Sequence, residues 1–196
     1  MKIAIVQYNA GNVQSVLYAL ERLGVQAILT NSQEELSTAD KVIFPGVGEA
    51  SSAMQFLQSK NLHNIIKNLK QPVLGICLGL QLMCKHSEEN NTDCLGIFDL
   101  QVRKFSSDIH KVPHVGWNDI HALKSPLFAN IQENEYVYYV HSFYAELGVD
   151  TIAQTNYVHP YSASLHKNNF YAVQFHPEKS GKVGEKILEN FLSLKV

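Results

Sequence analysis

Short apolar runs alternate with amphipathic stretches through the first half of the chain. Residues 2–7 are β-rich and apolar, and the turn Asn9-Ala10-Gly11-Asn12 follows. Over 13–23 the apolar residues fall at 13, 16, 17, 20 and 23, a helical period, and Gly24 is placed to close that helix as a C-cap. Residues 26–29 and 41–44 read as the second and third strands, 49–58 and 62–69 as helices, and 73–76 as a fourth, buried strand. Short apolar strands alternating with amphipathic helices predict an α/β fold, with an open, mostly parallel central sheet covered by helices on both faces. The second half is richer in strands, expected at 136–140, 151–155, 162–166 and 170–175, before a final helix over 182–194. No Pro/Ser-rich linker, repeat or low-complexity tract interrupts the pattern, so residues 1–196 read as a single domain.

Composition narrows the function classes. A chain of 196 residues with 45% hydrophobic content has enough apolar surface for a full core. The net charge of −2, with Lys and Arg scattered, carries no signature of nucleic-acid binding. No apolar stretch approaches the ~18 residues of a membrane span, and Met1–Gln7 reads as a strand, not a signal peptide. Three irregularly spaced cysteines suggest neither a disulfide framework nor a CxxC site, and they fit a reducing, cytoplasmic compartment. The nine histidines form no HxH, HExxH or tight Cys/His cluster, so neither a metal nor another cofactor is expected.

One segment carries chemistry. The apolar run 73–76 leads into Gly75-Ile76-Cys77-Leu78-Gly79, a nucleophile-elbow spacing with Cys in the nucleophile's place. A residue at the tip of a strand-to-helix turn sits in a cramped backbone, and glycines two before and two after it remove clashes. The thiol then stands at a helix N-terminus, where the dipole favours a thiolate. By itself the motif is equally compatible with a buried core cysteine. The turns 8–12 and 45–48 also end strands, which places all three loops on the C-terminal rim of a parallel sheet, where ligands bind.

The second element of a site is Phe175-His176-Pro177-Glu178. If the strand's extended geometry continues, His176 and Glu178 point to one face, and the carboxylate holds one ring nitrogen while the other faces a nucleophile. The order Cys, His, acid differs from the nucleophile, acid, His order of α/β-hydrolases.

GICLGLQ with a later FHPE resembles the class I, triad-type glutamine amidotransferases, and the likeness extends over nearly the whole chain. The resemblance implies a flavodoxin-like fold and a glutaminase, in which Cys77 attacks the glutamine side-chain amide, His176 transfers protons and Glu178 orients it. The elbow amide of Leu78 and the loop Pro45-Gly46-Val47-Gly48, through the Val47 amide, would stabilise the oxyanion. Gln81, Glu89, Ser142 and Phe143 match positions that hold the substrate. Asn12, Trp117, Tyr138 and Lys179 match positions near a partner or an ammonia passage.

Within the family, the segments KVPHVGWN (111–118), YYVHSFY (138–144) and FHPEKS (175–180) resemble glutaminase subunits that hand ammonia to a (β/α)8-barrel cyclase in histidine biosynthesis. A heterodimer with that cyclase is therefore implied. Consistent with a subunit role, the chain has no P-loop or GxGxxG after a strand. The first-strand turn, Gln7-Tyr8-Asn9-Ala10-Gly11-Asn12, and Val115 depart from the family's usual sequence. Two other readings stay open: a paralogue sending ammonia to another synthase, such as a sugar-amidinating enzyme, and a non-catalytic regulatory module.

Overall fold

The structure is a computed structural model that describes residues 1–9, 13–106, 108 and 110–195. The first half runs β1 (Ile3–Val6), α1 (Val13–Arg22), β2 (Ala27–Thr30), α2 (Gln33–Thr38), β3 (Lys41–Phe44), α3 (Ala50–Ser59), α4 (Leu62–Asn68), β4 (Val73–Ile76) and α5 (Leu78–Met83). The second half adds β5 (His86–Ser87), β6 (Thr92–Asp93), β7 (Gln101–Lys104), β8 (His114–Ile120) and β9 (Glu135–His141). It ends with β10 (Phe143–Ala145), β11 (Thr151–Tyr157), β12 (His159–Lys167), β13 (Phe170–Val173) and α6 (Gly181–Ser193).

Seven strands form the central sheet in the order β11-β12-β13-β4-β3-β1-β2. Pairing is parallel from β13 through to β2, and β12 runs antiparallel to both its neighbours. The expected mostly parallel sheet is therefore present. Its strands alternate between two cores, as a two-fold side-chain period requires. Ile3, Ile5, Ile43, Leu74 and Ile76 pack with Val16 and Leu20 of α1 and Ile187 and Phe191 of α6. Ala4, Val6, Val42, Phe44 and Val73 pack with Leu36, Leu57 and Ile66 from α2, α3 and α4 on the other face. Gly24 adopts φ +71° after α1, the left-handed cap its position suggested.

Two features of the second half depart from the sequence expectation. β8 pairs antiparallel with β9 as a two-stranded ribbon outside the central sheet, and β10, β7, β5 and β6 form a separate four-stranded sheet. The strand expected over 170–175 ends at Val173, and Pro177–Lys179 forms one turn of 3₁₀ helix. Proline suits the first position of a helical turn, because its fixed φ is already helical and its missing N–H would have no partner there.

The register sets the site. Phe44 lies opposite Gly75, and Val173 opposite Ile76. Three strand ends are thus level, and the loop 45–48, Cys77 and the segment 174–178 leave the sheet together.

Candidate active site

Cys77 occupies the turn between β4 and α5 with φ 53° and ψ −107°, a backbone conformation that L-residues rarely adopt. The flanking glycines make it possible through close approach. A Cβ on Gly79 would lie 1.9 Å from the Phe44 carbonyl oxygen, and one on Gly75 would lie 3.0 Å from the Gly79 carbonyl carbon. The Cys77 N–H donates to the Val173 carbonyl (2.8 Å), which ties the elbow to β13. The thiol is 6% exposed, a buried nucleophile candidate facing a cavity.

His176 and Glu178 meet as the sequence suggested, by a different route. The expected i,i+2 arrangement along an extended strand is replaced by the 3₁₀ turn at Pro177, across which Glu178 Oε1 lies 2.7 Å from His176 Nδ1. Both side chains are 2% exposed. His176 Nε2 has no hydrogen-bond partner among the described residues. Burial pulls the His176 pKa down, but the neighbouring Cys77 sulfur and Glu178 carboxylate outweigh it and raise the pKa above its ordinary value.

Backbone contacts hold the imidazole in place. The His176 N–H donates to the Tyr138 carbonyl (2.9 Å) of β9. The buried Ser180 hydroxyl donates to the His176 carbonyl (2.6 Å) and accepts from the Tyr138 N–H (2.9 Å). Ser180 had no assigned role in the sequence; only its place in FHPEKS marked it.

A cavity of about 320 Å³ opens in front of the thiol, within the usual size of small-ligand sites. Val47, Gly48, Leu78, Gln81, Glu89, Ser142 and Phe143 all line it, so the structure gathers every expected substrate position around Cys77. Their bonding is more specific than the sequence allowed. Gln81 Nε2 donates to the Phe143 carbonyl (2.9 Å) and to Gln174 Oε1 (3.1 Å), leaving the Gln81 carbonyl oxygen as its remaining hydrogen-bonding group. Glu89 Oε2 accepts from the Ala50 N–H (2.8 Å) at the start of α3. Burial raises the Glu89 pKa against the effect of that bond, and the charge of Glu49 adds to the rise.

One of the two expected oxyanion donors is engaged in this structure. The Leu78 N–H donates to the Gly46 carbonyl (3.2 Å), so the Gly46–Val47 peptide turns its oxygen toward the elbow and the Leu78 amide is occupied. Gly46 is there for proximity: a Cβ would lie 2.2 Å from the Tyr8 hydroxyl and 2.9 Å from the Leu78 Cβ. The buried Tyr8 hydroxyl donates to the Pro45 carbonyl (2.6 Å), and Gly48 adopts φ +120°.

Trp117, Tyr138 and Lys179 come together on the rim. Trp117 and Tyr138 are cross-strand partners on the β8–β9 ribbon with ring centroids 6.0 Å apart, and Lys179 Nζ lies 6.0 Å from the Tyr138 ring. Asn12 lies outside the described residues. The other cysteines, Cys84 and Cys94, are free thiols, and burial pushes both above the ordinary thiol range.

Beside the cavity, His114 and His141 pair across the ribbon among Tyr139, Tyr157 and Tyr161. Burial lowers His114 to about 4 and His141 to about 3. Both are neutral in the folded protein down to those values, whereas in the unfolded chain they take up protons near pH 6.5. Unfolding therefore binds extra protons between pH 6.5 and about 4.5, and stability falls as pH drops through that window. The raised His176 contributes equally throughout it. The pair should lower stability by roughly 2 kcal/mol per pH unit across this window, read from urea midpoints at pH 6.5, 5.5 and 4.5. A flat profile would refute burial of two neutral imidazoles.

An α/β sheet whose C-terminal edge carries a Cys elbow beside a His–Glu pair is the architecture of the class I glutamine amidotransferases. A model of that family, "Glutamine amidotransferase class-I", matches residues 4–194, and the chain belongs to it. It is 60% identical over 196 residues to "Imidazole glycerol phosphate synthase subunit HisH" of Bacteroides thetaiotaomicron, covering 99% of this chain and 100% of that one. The protein of the same name from Vibrio parahaemolyticus is 42% identical over 200 residues, with 98% of each chain covered. A putative GMP synthase component from Thermoplasma acidophilum shares the fold, with a TM-score of 0.74, 22% identity, and 98% of this chain and 92% of that one covered. No described helix is long and apolar enough to cross a membrane.

Proposed function

We propose that this protein is the glutaminase subunit of imidazole glycerol phosphate synthase, which releases ammonia from glutamine for histidine biosynthesis. Its full-length identity to proteins of that name supports the assignment. The observation that carries the chemistry is the 2.7 Å His176–Glu178 pair, whose unbonded Nε2 is electrostatically coupled to Cys77.

His176, whose pKa the Cys77 sulfur and the Glu178 carboxylate raise, takes the proton from the thiol as the base of the pair. The thiolate attacks the glutamine side-chain carbonyl carbon. The tetrahedral oxyanion collapses, His176 gives its proton to the departing nitrogen, and ammonia leaves behind a glutamyl thioester. His176 then takes a proton from water as the water attacks that thioester, and glutamate is released. Glu178 keeps Nδ1 protonated and the ring aligned throughout. Gln81 offers its carbonyl oxygen to the substrate's ammonium group, and Glu89, which also lines the cavity, offers a carboxyl oxygen.

The oxyanion needs donors, and the Leu78 amide is engaged with Gly46. Rotating the Gly46–Val47 peptide frees that amide and turns the Val47 N–H toward the site. The partner we assign is a (β/α)8-barrel cyclase in the cytoplasm, seated over the rim. The outer face of the β8–β9 ribbon suits it, with Val115 57%, Trp117 55% and Tyr136 57% exposed beside the catalytic edge. Trp117, Tyr138 and Lys179 would border the ammonia passage.

A glutaminase assay with and without the co-purified cyclase and its nucleotide substrate tests the reading. The expected result is low basal turnover, raised at least about 10²–10³-fold in the complex, the effect of gaining a single one of the two oxyanion donors. Unchanged turnover would remove the cyclase as partner and leave the thiol chemistry standing.

A further inference from the structure

Gln174, between β13 and the catalytic histidine, is 0% exposed, and its amide spans two groups of the site. Its Nε2 lies 3.7 Å from the Cys77 sulfur, and its Oε1 accepts from Gln81 Nε2 (3.1 Å). Gln81 Nε2 also donates to the Phe143 carbonyl (2.9 Å), which in turn accepts from His141 Nδ1 (2.7 Å).

The direction of this row is forced. A backbone carbonyl only accepts, so the Gln81 amide must present its nitrogen to Phe143. The same nitrogen then faces Gln174, which must answer with its oxygen. That leaves the Gln174 N–H₂ as the group aimed at sulfur. Turning either amide over would set two donors or two acceptors against each other in a dry site, where an unsatisfied polar group is costly.

We propose that Gln174 is a further catalytic residue of the glutaminase: its side-chain N–H stabilises the Cys77 thiolate, with a direction fixed by the Phe143 carbonyl through Gln81. The inference rests on Cys77 being the nucleophile. A thiolate in a site this closed needs donors around it, because burial alone favours the neutral thiol. His176 supplies one and Gln174 a second. A donor to the charged form lowers the pH at which that form appears. The same row explains why Gln81 is 4% exposed while lining the cavity: its nitrogen is committed inward and its oxygen is left for a ligand.

The test is the pH profile of Cys77 alkylation by iodoacetamide in the full-length chain, without glutamine. Peptide mass spectrometry separates Cys77 from Cys84 and Cys94. Gln174→Met keeps the side-chain length and removes the donor, and the alkylation midpoint should rise by about one pH unit. Gln81→Met releases the orienting bond but leaves the donor, and a smaller rise in the same direction is expected. Thermal melts accompany both. A purely structural role would lower the melting temperature and leave the midpoint in place, and that result in folded Gln174→Met overturns the proposal. Should Gln174→Met fail to fold, an unmoved midpoint in Gln81→Met overturns it instead. Failure of the glutaminase reading is distinct, since it appears as turnover that survives in Cys77→Ala.

Discussion

Cys77→Ala abolishes glutamine hydrolysis, with a fall in kcat of at least about 10⁴-fold, the loss seen when a triad nucleophile is removed. Fold and stability should barely change, because the thiol's contacts to the Val140 carbonyl (3.9 Å) and from Gln174 (3.7 Å) are long, and its coupling to His176 serves the chemistry. The substitution thus separates chemistry from architecture. His176→Ala should match it, since the thiolate and the proton for ammonia both depend on the imidazole. Glu178→Gln should cost less. It removes the charge beside Nδ1 but keeps a group of the same shape on the 3₁₀ turn, and ring orientation is only part of what His176 supplies. Ammonia release from purified variants in a coupled assay distinguishes the cases. Turnover surviving in Cys77→Ala would end the mechanism, and wild-type rates in both His176→Ala and Glu178→Gln would end the triad.

The largest expected effect on stability comes from Gly79→Ala. The added methyl would sit 1.9 Å from the Phe44 oxygen and 3.1 Å from its carbonyl carbon, both main-chain atoms at the end of β3. No rotamer change relieves that clash, so α5 must move off the sheet, and all six of its residues are buried. A loss of about 3 kcal/mol or more is expected by urea denaturation. Gly96→Ala is the control. It has open space around its Cβ position and φ +67°, so only the left-handed backbone resists, at about 1–2 kcal/mol. Equal losses at the two sites would show that α5 is not held at contact distance from β3.

The parallel half of the fold was legible because its physics is local. Strands buried on both faces read as short apolar runs, and the helices between them show their inward stripe. The elbow and His176–Glu178 were legible from residue type and spacing, though the link between them was misjudged, since Pro177 starts a helical turn where a strand was expected. β8 was hidden because its pattern is inverted. His114 is buried while Val115 and Trp117 stand exposed, so apolar residues mark the outside of the ribbon. The four-stranded sheet escaped because two of its strands have two residues each, too few for a period. Gln174 passed as one polar residue in an apolar strand, because its meaning lies in Cys77 and Gln81, about a hundred residues away, meeting its two ends.

The bond from the Leu78 amide to the Gly46 carbonyl has a metabolic consequence. On the proposed mechanism, turnover in the unpartnered subunit samples only the fraction of molecules whose 46–47 peptide has already rotated. A tenfold bias toward the bonded form, about 1.4 kcal/mol, spares about nine-tenths of the glutamine that an always-ready site would consume. Thrift in the cell's nitrogen economy would then rest on the direction in which one carbonyl points.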